Sequence, residues 1–335
     1  MSVYTYLRAA GLALLVAATW SWAGHTVLVE GVSQTSCPAC ANAAPVIDAI
    51  VASGAYDVCH IAYIYDRNPG SIGRVNEFEV AFVPHYFFDG GVDSWIGSGD
   101  LPDAYVNRIA FCLARPVPDL VLTLRTVWEA DAYVQLTASL TNRGDADYRG
   151  RLRMCLVERQ SRWLTTHGEP YRHAMIGPFA VNQELLVPAG EVRELTGTWD
   201  GLIAGFANVT RENLLGVAFV TAHDTGYADA ATEAPVRLPG EEPEFLRGDA
   251  NADGKIDIAD AVRVLAYLFG GGQTALVCLA AGDANDDGKI DISDAIKILG
   301  HLFAHTGPLP PPFGACGPDP TPDALTCVSF PPCAP

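Results

Sequence analysis

GDANADGKIDIADAVRVLAYLF, residues 248–269, returns 34 residues later as GDANDDGKIDISDAIKILGHLF, residues 282–303, with 15 of 22 positions identical. A calcium ion takes six to eight hard oxygens, and a twelve-residue loop supplies them at positions one, three, five, seven, nine and twelve. Counting from the Asp, the first loop offers Asp249, Asn251, Asp253, the Lys255 carbonyl, Asp257 and Asp260. The second offers Asp283, Asn285, Asp287, the Lys289 carbonyl, Asp291 and Asp294. Gly254 and Gly288 stand at position six, where the chain turns sharply and a Cβ would be strained. The pattern predicts two bound Ca2+ ions. Position twelve is Asp rather than the longer Glu, so each loop must draw in closer to its ion.

A helix follows each loop and none precedes it. Ile258, Val262, Leu265 and Phe269 share one face of the first helix, and Ile292, Ile296, Leu299 and Phe303 share one face of the second. Short helices cannot bury such a face alone, so the reading packs these two faces on each other, antiparallel. Ile256 and Ile290 at position eight are expected to join the loops through a short β contact. This duplicated loop-then-helix unit, residues 247–306, resembles the type I dockerin module. The resemblance implies a small all-α fold and a protein partner of the cohesin kind, in an extracellular assembly of the sort that acts on polysaccharide. Dockerins often carry a hydroxyl pair before the last ligand and a Lys-Arg pair on the helix. Here those positions hold Ile258-Ala259 with Leu265-Ala266, and Ile292-Ser293 with Leu299-Gly300. That departure speaks against standard cohesin recognition, and the Pro-rich tail, residues 307–335, is a candidate cover for the apolar positions.

Towards the N-terminus, residues 27–50 read VLVEGVSQTSCPACANAAPVIDAI: a strand, then Cys37-Pro-Ala-Cys40, then a helix carrying Pro45. Further on, Phe82-Val-Pro84-His-Tyr-Phe-Phe-Asp-Gly-Gly91 reads as a proline before a strand and a Gly turn. Together these resemble thioredoxin over about residues 25–115. The resemblance implies an α/β domain in which Cys37 is the exposed attacking sulfur, Cys40 resolves, and a cis Pro84 sets the Val83 backbone beside them. Glu30 then stands near enough to assist Cys40. A thiol–disulfide oxidoreductase is the enzymatic alternative, and an inert bridge on a binding fold is the other. Cys37, Cys40 and His85 as metal ligands form a third reading. Cys59 and Cys112 flank the site as a candidate bridge.

Between these regions, residues 117–238 alternate apolar and polar, as in LVLTLRTV from Leu120 and YVQLTASL from Tyr133. About seven short strands with turn signals between them predict an antiparallel β-sandwich. Pro239-Gly-Glu-Glu-Pro-Glu and the residues to 246 read as a linker. The expected division is therefore 1–23 signal peptide, 24–116 thioredoxin-like, 117–238 sandwich, 239–246 linker, 247–306 calcium module and 307–335 tail.

Residues 1–23 read as a secretory signal: Arg8, an apolar run to Ala18, then Ser21-Trp-Ala23 at cleavage spacing. Beyond it no run reaches the ~20 apolar residues of a membrane helix, so the expectation is an exported or cell-envelope protein. All nine Cys follow that leader, where an oxidising compartment favours pairing. Cys278 is expected to bridge to Cys316, Cys327 or Cys333. Lys+Arg 21 against Asp+Glu 39 leaves a net charge of −18, which repels phosphate backbones and excludes a nucleic-acid partner.

Overall fold

A computed structural model describes residues 25–97, 101–241, 244–269, 276–304, 306–321, 325, 327 and 330–333. The leader expected over 1–23 lies outside them. The N-terminal part runs β1 (Val27–Ser33), α1 (Pro38–Ala52), β2 (Val58–Ile64), α2 (Ile72–Glu77), β3 (His85–Phe88), β4 (Asp93–Ile96) and α3 (Pro102–Leu113). β1 is buried along its whole length because it lies between two neighbours, parallel β2 and antiparallel β3. Its register sets Glu30 opposite Ile61 and Phe87. α1 starts where the sequence places it. Cys37 has extended backbone angles, its sulfur accepts from the Cys40 N–H, and Pro38 opens the first turn, where a missing N–H costs nothing.

Seven further strands follow among the described residues: β5 (Leu120–Ala130), β6 (Tyr133–Asn142), β7 (Tyr148–Leu164), β8 (Pro170–Val187), β9 (Val192–Asp200), β10 (Leu214–Ala222) and β11 (Ala228–Pro235), with a single turn of helix, α4 (Gly201–Ala204), after β9. β6 buries every second side chain. Val134, Leu136, Ala138 and Leu140 face inward against Leu152, Met154, Leu156 and Ile176 of the opposite sheet. This is a two-layer packing of the β5-β6-β9 sheet on β7, β8, β10 and β11.

The two stretches read as separate domains share one sheet. Its strand order is β11-β10-β7-β8-β2-β1-β3-β4, closed at the seam by the Ala62–Ala174 pairing of β2 with β8. β8 is 18 residues long, enough to serve both parts. Asn68 fastens the seam. Its side-chain amide donates to the Met175 and Gly177 carbonyls at 2.8 and 3.1 Å. Periodicity reports which face of a strand is buried, and carries no information on which strand will lie beside it.

The C-terminal module holds α5 (Ile258–Phe269), α6 (Leu279–Gly282) and α7 (Ile292–Phe303). Disulfides join Cys278 to Cys327 and Cys316 to Cys333, so the tail is tied back as expected. No described helix is long and apolar enough to cross a membrane.

Candidate functional site

Each calcium loop is drawn into a tight cradle by its own backbone amides. In the first, the N–H groups of Asp253 and Gly254 donate to Asp249 at 3.1 and 2.8 Å, and those of Asn251 and Asp257 donate to Asp260 at 3.1 and 2.8 Å. The second repeats this: Asp287 and Gly288 to Asp283 at 3.1 and 2.9 Å, Asn285 and Asp291 to Asp294 at 3.3 and 2.9 Å. Gly254 and Gly288 take φ of 84° and 76°, the left-handed conformation their position requires. Ala252 and Asp286, both at loop position four, also take positive φ, at 56° and 62°. Asp249, Asp260, Asp283 and Asp294 are fully buried, while Lys255 and Lys289 are exposed. Burial pushes the Asp260 carboxyl up to about 6 and that of Asp294 up to about 7, with neighbouring loop carboxylates adding to the rise. Gathering acids out of water is costly unless a cation joins them. The donors are all oxygen, and the residues present fit Ca2+.

The helices pack on each other, but of the expected faces only Leu265 and Leu299 lie against the shared core. Ala261 and Val264 of α5 pack against Ala295 and Ile298 of α7. Ile258 is 57% exposed, and Val262, Phe269, Ile296 and Phe303 are likewise in solvent. Asp260 explains the rotation. It must face the loop, and at about 100° per residue Ile258, Val262 and Phe269 fall roughly opposite it, whereas Ala261, Val264 and Leu268 stay on its side. The apolar stripe chosen from the sequence was the more hydrophobic one, but the ligand sets the rotation.

Ile256 and Ile290 form no backbone bridge among the described residues; both lie partly buried against the helix core. The tail also lies elsewhere than expected. Its described residues meet Arg247, Asp286 of the second loop and His301 of α7. Arg247, fully buried, donates to the Pro311 carbonyl at 2.9 Å and the Asp283 carbonyl at 2.7 Å, and pairs with Asp286 and Asp319 at 2.9 Å each. Sequence reasoning missed Arg247. Its place directly before the first Gly-Asp was the only available signal.

Cys37 and Cys40 form a disulfide, and the Val83–Pro84 peptide beside them is cis. The Cys37 sulfur lies 3.7 Å from the Val83 carbonyl oxygen. The exposed attacking sulfur is not observed: Cys37 is 6% exposed and Cys40 is fully buried. Tyr171 and Ala174 of β8, with Trp163 of β7, cover the pair, and the Tyr171 hydroxyl donates to the Gln34 carbonyl at 3.0 Å. The sandwich hairpin therefore sits where a substrate chain would approach. Glu30 serves another purpose: Arg74 holds it at 2.9 and 2.7 Å, and the Tyr63 hydroxyl donates to it at 2.7 Å. Both Cys37 and Cys40 spend their sulfurs on each other, and His85 lies tilted over Phe87, so they form no metal set among the described residues. Cys59, Cys112 and Cys155 are free and buried. Cys59 lies on β2 in the core shared with Cys155, and Cys112 packs under α1, which keeps Cys59 and Cys112 apart.

Among solved structures, the chain is similar to a protein from Agrobacterium tumefaciens at 11% identity, covering 63% of this chain and 94% of that one with a TM-score of 0.39. A domain of the outer membrane lipoprotein Omp28 from Porphyromonas gingivalis matches at 14% identity, over 37% of this chain and 92% of that one, with a TM-score of 0.26. The CARDB domain of a Pyrococcus furiosus protein matches at 15% identity, over 36% and 89%, with a TM-score of 0.21. No curated protein matches the sequence significantly. Residues 247–302, the paired loops and their helices, match the type I dockerin domain, a calcium-binding module that docks on protein partners.

Proposed function

We propose that this is an extracellular docking protein. Its C-terminal module folds around two Ca2+ ions and presents an apolar stripe to a cohesin-type partner. Asp249, Asn251, Asp253, Asp257 and Asp260, with the Lys255 carbonyl, hold one ion. Asp283, Asn285, Asp287, Asp291 and Asp294, with the Lys289 carbonyl, hold the other. The observation that carries the reading is the outward face of both helices: Ile258 is 57% and Ile292 53% exposed, with Val262 and Ile296 beside them. Stripes of that kind on a soluble surface mark contact sites. The ions set the helix rotation and so create the stripe, which makes docking calcium-dependent.

The N-terminal part is read as a thioredoxin-like unit fused edge to edge with a sandwich. Support comes from the β2-β1-β3-β4 order and from Cys37 at the helix start. Its disulfide is read as a structural bridge, because Cys37 lies beneath Tyr171 and Trp163. Together these parts are the cargo that the module fixes in place. Titration of the full chain against cohesin domains from polysaccharide-degrading assemblies, by calorimetry, is the test. Saturable binding in calcium that disappears with chelator supports the reading, and no binding to any cohesin in calcium counts against it.

A further inference from the structure

Asp48 of α1, His60 of β2 and His173 of β8 bring one ligand atom each within 4.8 Å of one another. They arrive from three elements, and the last comes from the sandwich. We infer that this junction is a binding site for a first-row transition metal such as Zn2+, held by two imidazoles and a carboxylate.

The strongest observation is His60. It is 2% exposed, and neither ring nitrogen has a hydrogen-bond partner among the described residues. A buried polar atom without a partner is destabilising, so two on one ring call for an explanation. His173 Nδ1 is also buried without a partner. The two rings stand edge to face, 5.6 Å apart. His173 takes φ of 53°, in the left-handed region, where a non-glycine residue is uncommon. Such backbone strain is held in place by its surroundings and clusters at functional sites.

Two of the three, Asp48 and His60, border a cavity of about 10 Å³ together with Gly31, Ser33, Tyr86 and Arg172. Gly31 leaves it open: a Cβ there would meet the Tyr86 ring and come within 3.5 Å of His60 Nε2. Asp48 and His173 are half-buried, which leaves an approach from solvent. Ligands at about 2.1 Å from a zinc ion lie roughly 3–4 Å apart, so binding needs the three to close by about 1 Å. Two imidazoles with one carboxylate suit zinc, or ferrous iron where coordination positions stay open. Arg172 borders the cavity, and the positive charges of Arg159 and Arg172 beside His173 are the opposing influence.

The test is zinc calorimetry on the oxidised full chain in saturating calcium, with Co2+ absorption as a second probe. One equivalent of Zn2+ should bind, and Co2+ should give a visible band. His60→Leu and His173→Ala should each weaken zinc binding at least tenfold. His60→Leu should leave the metal-free protein as stable as before or more so, since it removes two unpartnered nitrogens. If His60→Leu fails to fold, the half-buried His173→Ala decides alone. No zinc heat in the wild type would overturn the inference. So would binding that survives both histidine variants, or binding that is lost only when Asp260 and Asp294 are replaced.

Discussion

Asp260 and Ile258 stand two residues apart on opposite sides of α5. The carboxylate is fully buried in the calcium loop, and the isoleucine is 57% exposed. On the proposed reading, ion and docking face are thereby coupled through one turn of helix.

In the proposed calcium sites, Asp260→Ala removes the ligand that α5 brings to the first loop, and Asp294→Ala the ligand that α7 brings to the second. Each should lose one ion by calorimetry, with the affinity of that loop falling at least tenfold, about 1.4 kcal/mol. Chelation of the wild type should lower the helical circular dichroism of the module, because binding free energy is folding free energy there. An ellipticity unchanged by chelator would contradict this.

Arg247→Met should destabilise the module by about 3 kcal/mol in saturating calcium. It takes one cation from two carboxylates and two backbone carbonyls at the tail contact. Denaturant unfolding measures it, and a loss under about 0.5 kcal/mol would mean the tail contact is not structural.

Asn68→Ala should cost about 1–3 kcal/mol, because the Met175 and Gly177 carbonyls lose their donor in a buried seam. The shared sheet also predicts that residues 25–238 unfold in one cooperative step. Two separate calorimetric transitions within that stretch would argue for independent domains.

With the disulfides intact, the native protein should show almost no thiol reactive to a water-soluble disulfide reagent, and the denatured protein should show three, from Cys59, Cys112 and Cys155. Burial of the covered Cys37–Cys40 bridge predicts no reduction of insulin by the native chain. Measurable turnover would restore the oxidoreductase reading.

The calcium loops were legible because ligand type, spacing and the turn glycine are all local properties of twelve residues. The β-rich middle was legible for a similar reason: β6 alternates, and alternation is the physical mark of a half-buried strand. What stayed hidden depends on neighbours distant in sequence. Nothing near Cys37 foretells that Tyr171 covers it, and nothing near Asp48 foretells His173. Hydrophobicity alone does not fix which faces of α5 and α7 turn inward; the geometry of Asp260 and Asp294 is the stronger constraint.

The central claim is that calcium turns an apolar stripe outward for a protein partner. Calorimetry of the Ile258→Asp/Ile292→Asp double variant against a cohesin that binds the wild type tests it most directly. The variant should still take up two Ca2+ ions with unchanged helical signal, yet lose cohesin binding by at least a hundredfold. Undiminished cohesin affinity in a variant that folds and binds calcium would contradict the account.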